Sequence, residues 1–242
     1  MTFYHPDRDG GFGFARHNPA PPKPRARGVT EIRGPYYTAM GPRYLGDVLE
    51  TTGAHVDGLK FAGGSLSLTG GWIEHVLASG DVGAAVDRYL DRCKDLGFDV
   101  VELSAGFLSL PPDDWMRLAE RSIGTSDPSK VIHMAKRFVR DAGVERVMIE
   151  SEGITENVKT WRTHVIQSIL RELPMEKVMF EAADPSVFNC EIRELTIGKY
   201  IREFGIDVNL FVDHSQIVQL AGLRAGIWGK SDTFGKITTF RP

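Results

Sequence analysis

The chain has 242 residues, of which 42% are hydrophobic and 25% charged, a composition typical of a globular protein with one large domain or two small ones. Its formal net charge of −3 argues against a general nucleic-acid binder or a protein that binds anionic membranes. No apolar run approaches the roughly 18 residues of a membrane span. Cys93 and Cys190 are not in a metal-binding spacing, so we expect two free thiols in a reducing, cytoplasmic compartment.

The first 26 residues are rich in glycine, proline, arginine and histidine, and such a segment buries little apolar surface. We therefore predict a flexible tail over 1–26 and one folded domain over 27–242. Within that domain, short apolar runs alternate with longer stretches of helical period. The predicted strands cover 29–32, 58–61, 100–103, 147–149, 178–180 and 208–212. The predicted helices cover roughly 42–53, 81–96, 112–122, 130–143, 156–173, 189–204 and 215–225.

This alternation of strands and helices predicts βαβ units and a parallel sheet. A parallel strand is buried on both faces, which accounts for the nearly continuous runs of Val, Ile and Phe. Two architectures fit this pattern, an open doubly wound sheet and a closed (β/α)8 barrel. A GxGxxG motif does not follow the first strand and GxxxxGK[ST] is absent from the sequence, which argues against nucleotide binding of the Rossmann or P-loop type.

Four of the apolar runs end on a carboxylate, and another contains a lysine followed by glycines. The carboxylates are Glu102, Glu150, Glu181 and Asp213, and the lysine is Lys60. In a parallel barrel the carboxyl ends of all strands meet at one mouth, where active sites are built. Several carboxylates at that mouth need a cation, a proton or basic partners, and Mg²⁺ prefers such hard oxygen ligands. Alternatively, these carboxylates cap the following helices or pair with arginine and lysine.

Longer motifs occur in an order that is typical of one family. They are RGVTEIRGPYY, VDGLKFAGGSLSL, TGGWIEHVL, LGFDVVELSAG, KVMFEAAD, VNLFVDHSQI and GKSDTFGK. Together they resemble the phosphosulfolactate synthase family, in particular its eukaryotic branch of plant heat-stress-associated proteins. The resemblance implies a (β/α)8 TIM-type barrel. It also implies one of two functions: Mg²⁺-dependent addition of sulfite to phosphoenolpyruvate, giving (2R)-phospho-3-sulfolactate, or non-catalytic binding and protection during heat stress.

The same resemblance implies roles for individual residues. Glu102, Glu150 and Glu181 would be metal ligands or acid–base groups, and Lys60 would act with them on the substrate. The implied substrate-binding residues are Lys60, Gly63, Gly64, Asn209 and Ser215. Ser215 would cap the last helix, where backbone N–H groups could meet a phosphate. The expected partners are small anions, phosphoenolpyruvate and sulfite, and the C-terminal TFGKITTFRP is compatible with a contact in a homo-oligomer.

The sequence departs from the synthase pattern in the loops after the strands. LDKG after the first strand is replaced by EIRG, which contains Glu31 and Arg33. The loop after Glu150 has lost the arginine and lysine of the synthases. Asp213 and His214, in FVDHSQ, follow the plant branch and not the synthases.

Two whole segments of the family pattern are also missing. The strand that ends in EVGKK in the synthases has no counterpart near 123–130. Its lysine is the expected proton donor. A helix and a strand are missing near Leu68 and Thr69. We therefore expect about six clear strands and an incomplete barrel.

Overall fold

The fold is known from a computed structural model, which describes residues 18–34, 40–60, 91–92, 94–97, 128–141, 143–151, 154, 160–182 and 196–226. The strands in these ranges are β1 (Thr30–Arg33), β2 (Gly58–Lys60), β3 (Val147–Ile149), β4 (Val178–Glu181) and β5 (Leu210–Val212). The helices are α1 (Pro42–Thr52), α2 (Pro128–Asp141), α3 (Thr163–Glu172), α4 (Thr196–Phe204) and α5 (Ile217–Ala225). Short 3-10 turns at 53–55, 175–177 and 214–216 precede β2, β4 and α5. The predicted alternation of strands and helices is confirmed for this part of the chain.

The boundaries differ from the predicted ones where backbone groups find other partners. The described part of the helix predicted over 156–173 is α3, which begins at Thr163 because the N–H of Arg162 just before it donates to the Ile154 carbonyl 3.1 Å away. Positions 155–159 lie outside the described residues. The predicted strand at 100–103, the helix at 112–122 and most of the helix at 81–96 lie outside the described residues. None of the helices in the described ranges combines the length and apolarity needed to cross a membrane.

The five described strands form one parallel sheet in the order β2-β1-β5-β4-β3. The first strand lies beside the last, with Glu31 opposite Phe211 and Ile32 opposite Val212. Each remaining neighbour is the next strand along the chain, which is the cyclic order of an α/β barrel. The described sheet ends at β2 and β3, and the predicted strand at 100–103 belongs to the chain between them. The architecture is thus mixed α/β with a parallel sheet, as predicted.

Alternate residues of each strand contribute to two separate apolar clusters, because strand side chains point to opposite faces. One cluster packs the sheet against the helices, and Phe180, for example, stacks on Tyr200 of α4 with ring centroids 5.6 Å apart. The other is small and consists of Val29, Met179 and Phe211, with Met148 packed against it. We call the face of the sheet that carries this second cluster the inner face. By the alternation of strand residues, the same face also carries Glu31, Arg33, Lys60 and Glu181, so it is largely charged.

Residues 18–26 pack at the amino-terminal ends of the strands, so the prediction of a flexible tail is wrong for this part of the segment. Asn18 is buried, and its backbone N–H donates to the carbonyl of Ala225 at 2.8 Å. Arg25 forms a buried ion pair with Asp57 at 2.9 Å. The prediction considered only apolar burial, whereas this segment is held by hydrogen bonds and charge. Residues 1–17 lie outside the described part of the chain.

Arg224 of α5 forms hydrogen bonds around the starts of two strands, β1 and β5, at the amino-terminal end of the sheet. Its guanidinium donates to the carbonyls of Val29 at 3.1 Å and Val208 at 2.8 Å, and to the hydroxyl of Thr30. Burial lowers the pKa of Arg224 to about 10, so the side chain stays charged at neutral pH. The hydrogen bonds to carbonyl oxygens offset the cost of burying this charge.

Gly58 leaves room for a charged side chain on the inner face. It lies opposite Glu31, and a Cβ at position 58 would approach Glu31 Cγ to 2.8 Å. We expect Gly58→Ala to lower the free energy of unfolding by about 1–3 kcal/mol, because Glu31 would have to move from its ion pair with Arg146 at 3.6 Å. The measurement is urea unfolding followed by circular dichroism.

Gly46→Ala is the matched control for this substitution. Gly46 lies inside α1, and an added Cβ would meet no atom within 4 Å. Alanine is therefore expected to raise the unfolding free energy by about 0.5–1 kcal/mol through helix propensity. Equal changes in the two variants would contradict a steric role for Gly58.

Candidate functional site

The carboxyl ends of β1, β2 and β4 bring three charged side chains around one aromatic ring. Arg33 Nη2 lies 2.5 Å from Glu181 Oε1, and the Arg33 guanidinium carbon lies 4.5 Å from the centroid of the Phe211 ring. Lys60 Nζ lies 4.7 Å from the same centroid and 3.8 Å from the sulfur of Met148. An aromatic face stabilises cations through its quadrupole, so Phe211 helps to hold two positive charges close together. We call Arg33, Lys60, Glu181 and Phe211 the mouth cluster.

Arg33 is the most deeply buried charge of the mouth cluster. Only 2% of its surface is exposed, and its buried Nε and Nη1 have no hydrogen-bond partner among the described residues. Nη2 is the nitrogen that binds Glu181. Buried N–H groups of a charged side chain are costly unless they are paired. The guanidinium therefore has two donors available for an anionic ligand.

Glu181 connects the mouth cluster to the end of β3. Its Oε2 accepts weak hydrogen bonds from the backbone N–H of Ser151 at 3.5 Å and from the Ser151 hydroxyl at 3.4 Å. Ser151 is buried, while the Glu181 side chain is 23% exposed. Glu181 thus orients Arg33 with one oxygen and keeps its other oxygen near the barrel mouth.

The predicted metal ligands are only partly placed by the structure. Glu102, together with Gly63 and Gly64 of the predicted substrate site, lies outside the described residues, and Glu150 is exposed at the end of β3. In the described ranges, no three His, Cys, Asp or Glu residues are arranged to hold a metal ion. Mg²⁺ commonly uses one or two carboxylates and completes its shell with water and substrate oxygens. Glu150 and Glu181 are compatible with that smaller ligand set.

Asn209 lies at the opposite end of the strands from the mouth cluster. Its side chain is fully buried, and its Oδ1 accepts from the Val29 N–H at 2.9 Å. Its Nδ2 donates to the carbonyls of Met175 at 2.9 Å and Val178 at 3.1 Å. These bonds join the starts of three chain segments and occupy the side-chain amide. The prediction that Asn209 binds substrate is therefore wrong, because that amide already satisfies backbone groups away from the mouth.

Asp213, and not Ser215, caps the turn after β5. The Asp213 carboxylate accepts from the Ser215 N–H at 2.8 Å and from the Ser215 hydroxyl at 2.5 Å, while Gln216 Oε1 accepts from the Asp213 N–H at 3.2 Å. This is a capping box. The predicted cap at Ser215 is wrong, and a carboxylate already accepts from the backbone N–H that was expected to meet a phosphate.

Arg33 and Ser151 join the site although the sequence interpretation did not include them. In the sequence Arg33 is a departure from LDKG, and it ends its strand as the carboxylates end theirs. That position is the signal that could have identified it. Ser151 follows Glu150 in a loop without a recognisable motif, so its contact with Glu181 depends on the pairing of β3 with β4.

Known proteins are similar to this chain over most of its length. The family profile described as (2R)-phospho-3-sulfolactate synthase (ComA) matches residues 18–69, 66–126 and 120–230. The protein HEAT-STRESS-ASSOCIATED 32 of Arabidopsis thaliana is 31% identical over 276 residues, covering 90% of this chain and 92% of the relative. Phosphosulfolactate synthases of Methanothermobacter thermautotrophicus and Methanocaldococcus jannaschii are each 24% identical, covering 89% and 87% of this chain and 94% and 95% of theirs.

The family match is divided at two places along the chain. Its blocks meet at residues 66–69 and 120–126. The sequence interpretation places its missing segments near Leu68–Thr69 and 123–130, so the interruptions fall in the same two regions. The mouth cluster lies within the first and third blocks.

Proposed function

The chain belongs to the ComA family of (2R)-phospho-3-sulfolactate synthases, and from this premise we propose that it binds phosphoenolpyruvate at the mouth cluster and adds sulfite to it. The observation that carries the proposal is Arg33, which lies beside Lys60 with two buried donors that no group in the described part of the chain accepts from. Arg33 and Lys60 both lie over the Phe211 ring, and two cations so close together favour the binding of a small, highly charged anion. A family relationship alone does not establish an activity, so the proposal depends on this geometry.

The two cations differ in how they would hold a substrate. The planar guanidinium of Arg33 presents N–H groups in a fork that matches a carboxylate or a phosphate. The ammonium of Lys60 is a compact point charge at the end of a flexible stem. Phosphoenolpyruvate carries both kinds of oxyanion on adjacent atoms. We propose that Arg33 and Lys60 together bind its carboxylate and phosphate.

The proposed reaction needs positive charge at the substrate carboxylate. The sulfur lone pair of sulfite forms a bond to the methylene carbon, and the electrons of the carbon–carbon double bond move toward C2 and the carboxylate. A proton then adds to C2 and completes phosphosulfolactate. Donors fixed in advance, where charge develops, lower such a barrier by several kcal/mol. We propose that Arg33, which Glu181 orients, supplies this stabilisation.

The family resemblance implies Mg²⁺, and we propose that Glu181 and Glu150 hold it, together with Glu102. When bound, the ion would add positive charge near the substrate oxygens. Glu181 would then contact both the ion and Arg33. The protein groups that orient and bind the substrate remain Arg33 and Lys60.

The proposed activity is tested by phosphorus NMR of the purified full-length chain with phosphoenolpyruvate, sulfite and Mg²⁺. We expect a new phosphosulfolactate resonance, and Glu181→Gln should lower the rate of its appearance by about 100-fold, because the loss of a charged hydrogen-bond partner releases Arg33. Glu172→Gln is the control, since Glu172 is an exposed residue of α3 paired with Lys136. A product rate in Glu181→Gln equal to that of the control would contradict the assigned role.

A second candidate is a non-catalytic protein with the same fold that acts by binding during heat stress. It is favoured by the identity of 31% to HEAT-STRESS-ASSOCIATED 32, compared with 24% to the synthases. Arg33 and Glu181 could also serve this protein as a structural ion pair. A wild-type chain that melts cooperatively but makes no product would support this function and overturn the synthase proposal.

A further inference from the structure

A second group of ionisable side chains lies where the first strand meets the last. Tyr44 is in the first turn of α1, and Asp213 and His214 directly follow β5. The Tyr44 hydroxyl lies 2.9 Å from His214 Nε2, and the two rings meet edge to face, with centroids 5.5 Å apart. On the other side of the imidazole, His214 Nδ1 lies 3.6 Å from Asp213 Oδ1. The three residues form a series of carboxylate, imidazole and hydroxyl.

The inner members of this series are held in place, while its outer member is open to solvent. Only 12% of the His214 side chain and 15% of the Asp213 side chain are exposed, whereas Tyr44 is 47% exposed. Ser215 donates two hydrogen bonds to Asp213 and fixes the carboxylate behind the imidazole. His214 Nδ1 is buried, and in the described ranges no group lies at normal hydrogen-bond distance from it. A buried ring nitrogen facing a fixed carboxylate favours a proton on that nitrogen.

This series lies at the same edge of the sheet as the mouth cluster. The register that pairs Phe211 with Glu31 and Val212 with Ile32 brings Asp213 level with Arg33. Tyr44 reaches the edge because α1 follows β1 along the chain. The hydroxyl of Tyr44 is therefore on the side of the barrel where the substrate would bind.

We propose that the Tyr44 hydroxyl donates the proton that adds to C2 of the substrate. His214 would relay a proton to Tyr44, and Asp213 would be the residue that positions the His214 imidazole. The proposal depends on the synthase function proposed above, for which the expected lysine donor has no counterpart in the sequence. An imidazole between a carboxylate and a hydroxyl is an effective means of moving a proton to or from that hydroxyl. Asp213, His214 and Tyr44 provide this arrangement without the lysine.

The proposed step conserves atoms and charge. The sulfur–carbon bond forms at C3 as the double bond between C2 and C3 breaks. The electron pair left on C2 takes the proton of the Tyr44 hydroxyl, and protonated His214 passes its Nε2 proton to the phenol oxygen. His214 becomes neutral and keeps its Nδ1 proton toward Asp213. Solvent then returns a proton to His214 Nε2 by way of the exposed Tyr44 hydroxyl. The step needs no oxidant or reductant.

The test compares wild type with Tyr44→Phe and His214→Gln in the presence of phosphoenolpyruvate, sulfite and Mg²⁺, and it measures kcat, KM and the configuration of the product at C2. We expect Tyr44→Phe to lower kcat by about 100–1,000-fold and to change KM for phosphoenolpyruvate by less than about threefold, because no binding group is lost. The residual product should contain both enantiomers, since water can protonate either face of C2. His214→Gln should lower kcat about tenfold or more and keep the (2R) product.

Two controls remove the same chemical groups elsewhere. Tyr200→Phe removes the hydroxyl from a ring that packs between α4 and the sheet, and His164→Gln removes an exposed imidazole of α3. Both should keep kcat within about twofold of wild type, as expected for sites away from the mouth. Because Tyr44 is half-exposed, the phenylalanine variant should fold, and His214→Gln provides an independent measurement with the same assay.

The outcomes separate the relay from the synthase reaction itself. Wild-type kcat and a pure (2R) product from Tyr44→Phe would overturn the relay while the synthase function stands. A large rise in KM with kcat unchanged would make Tyr44 a binding residue and would also overturn the relay. If wild type forms no product, both proposals fail, and that result is seen before any variant is made.

Discussion

Replacing Arg33 with methionine is expected to weaken phosphoenolpyruvate binding by about 100–10,000-fold. Two charge-assisted hydrogen bonds are lost, each contributing about 1.5–3 kcal/mol, and the substrate would face an apolar side chain on Phe211. The measurement is the dissociation constant by isothermal titration calorimetry, with or without Mg²⁺. Binding does not depend on turnover, so the result tests the mouth cluster as an anion site separately from the reaction.

Two further variants make this prediction specific. Arg33→Lys keeps the charge but loses the fork of donors, so its affinity should fall by about tenfold only. Arg27→Met removes an exposed arginine that pairs with Glu176 at the amino-terminal side of the sheet, and its affinity should match wild type. If Arg33→Met folds and binds phosphoenolpyruvate as tightly as Arg27→Met does, the assignment of Arg33 as the anion ligand is wrong.

Replacing Asn209 with alanine is expected to lower the free energy of unfolding by about 3–5 kcal/mol. The Asn209 amide bonds the N–H of Val29 and the carbonyls of Met175 and Val178, all near the start of strands. Alanine would leave these backbone groups without partners in a buried site, at about 1–3 kcal/mol each. Urea unfolding followed by circular dichroism measures the change.

Asn209→Asp separates the loss of hydrogen bonds from the loss of volume. Aspartate has nearly the same size, but its carboxylate would replace the donor that faces two carbonyl oxygens. The destabilisation should therefore be at least as large as that of alanine. Gln167→Ala, on the exposed face of α3, should stay within about 0.5 kcal/mol of wild type. An aspartate variant as stable as this control would show that the Asn209 amide does not hold the strand starts together.

The spacing of apolar residues along the chain predicted the order of strands and helices well, because burial of one face gives each kind of element its own spacing of apolar residues. Runs of apolar residues predicted β3 at its observed bounds and the other described strands within about two residues. The mixed α/β architecture and the family followed from this order and from motifs such as KVMFEAAD. Where hydrogen bonds rather than apolar burial hold the chain, as in residues 18–26, periodicity carries no signal and the prediction of a tail was wrong.

Residue roles were harder to predict, because a motif reports which residues occur together and not which end of a strand they occupy. Asn209 and Asp213 flank the same short strand, yet one binds the starts of neighbouring strands and the other follows the carboxyl end. The motif VNLFVDHSQ contains both, so resemblance alone could not separate a structural amide from a residue of the mouth.

The sequence by itself determined the βα order, the parallel sheet, the family and the charged ends of the strands. Only the tertiary structure decided which charges meet. Arg33 and Glu181 are separated by 148 positions in the chain, and Tyr44 and His214 by 170. Tyr44 meets His214 because the first strand, β1, pairs with the last, β5. Arg33 meets Glu181 because β5 also pairs with β4, so that β1 and β4 lie on either side of β5. Such contacts follow from the cyclic order of strands, which local periodicity does not encode.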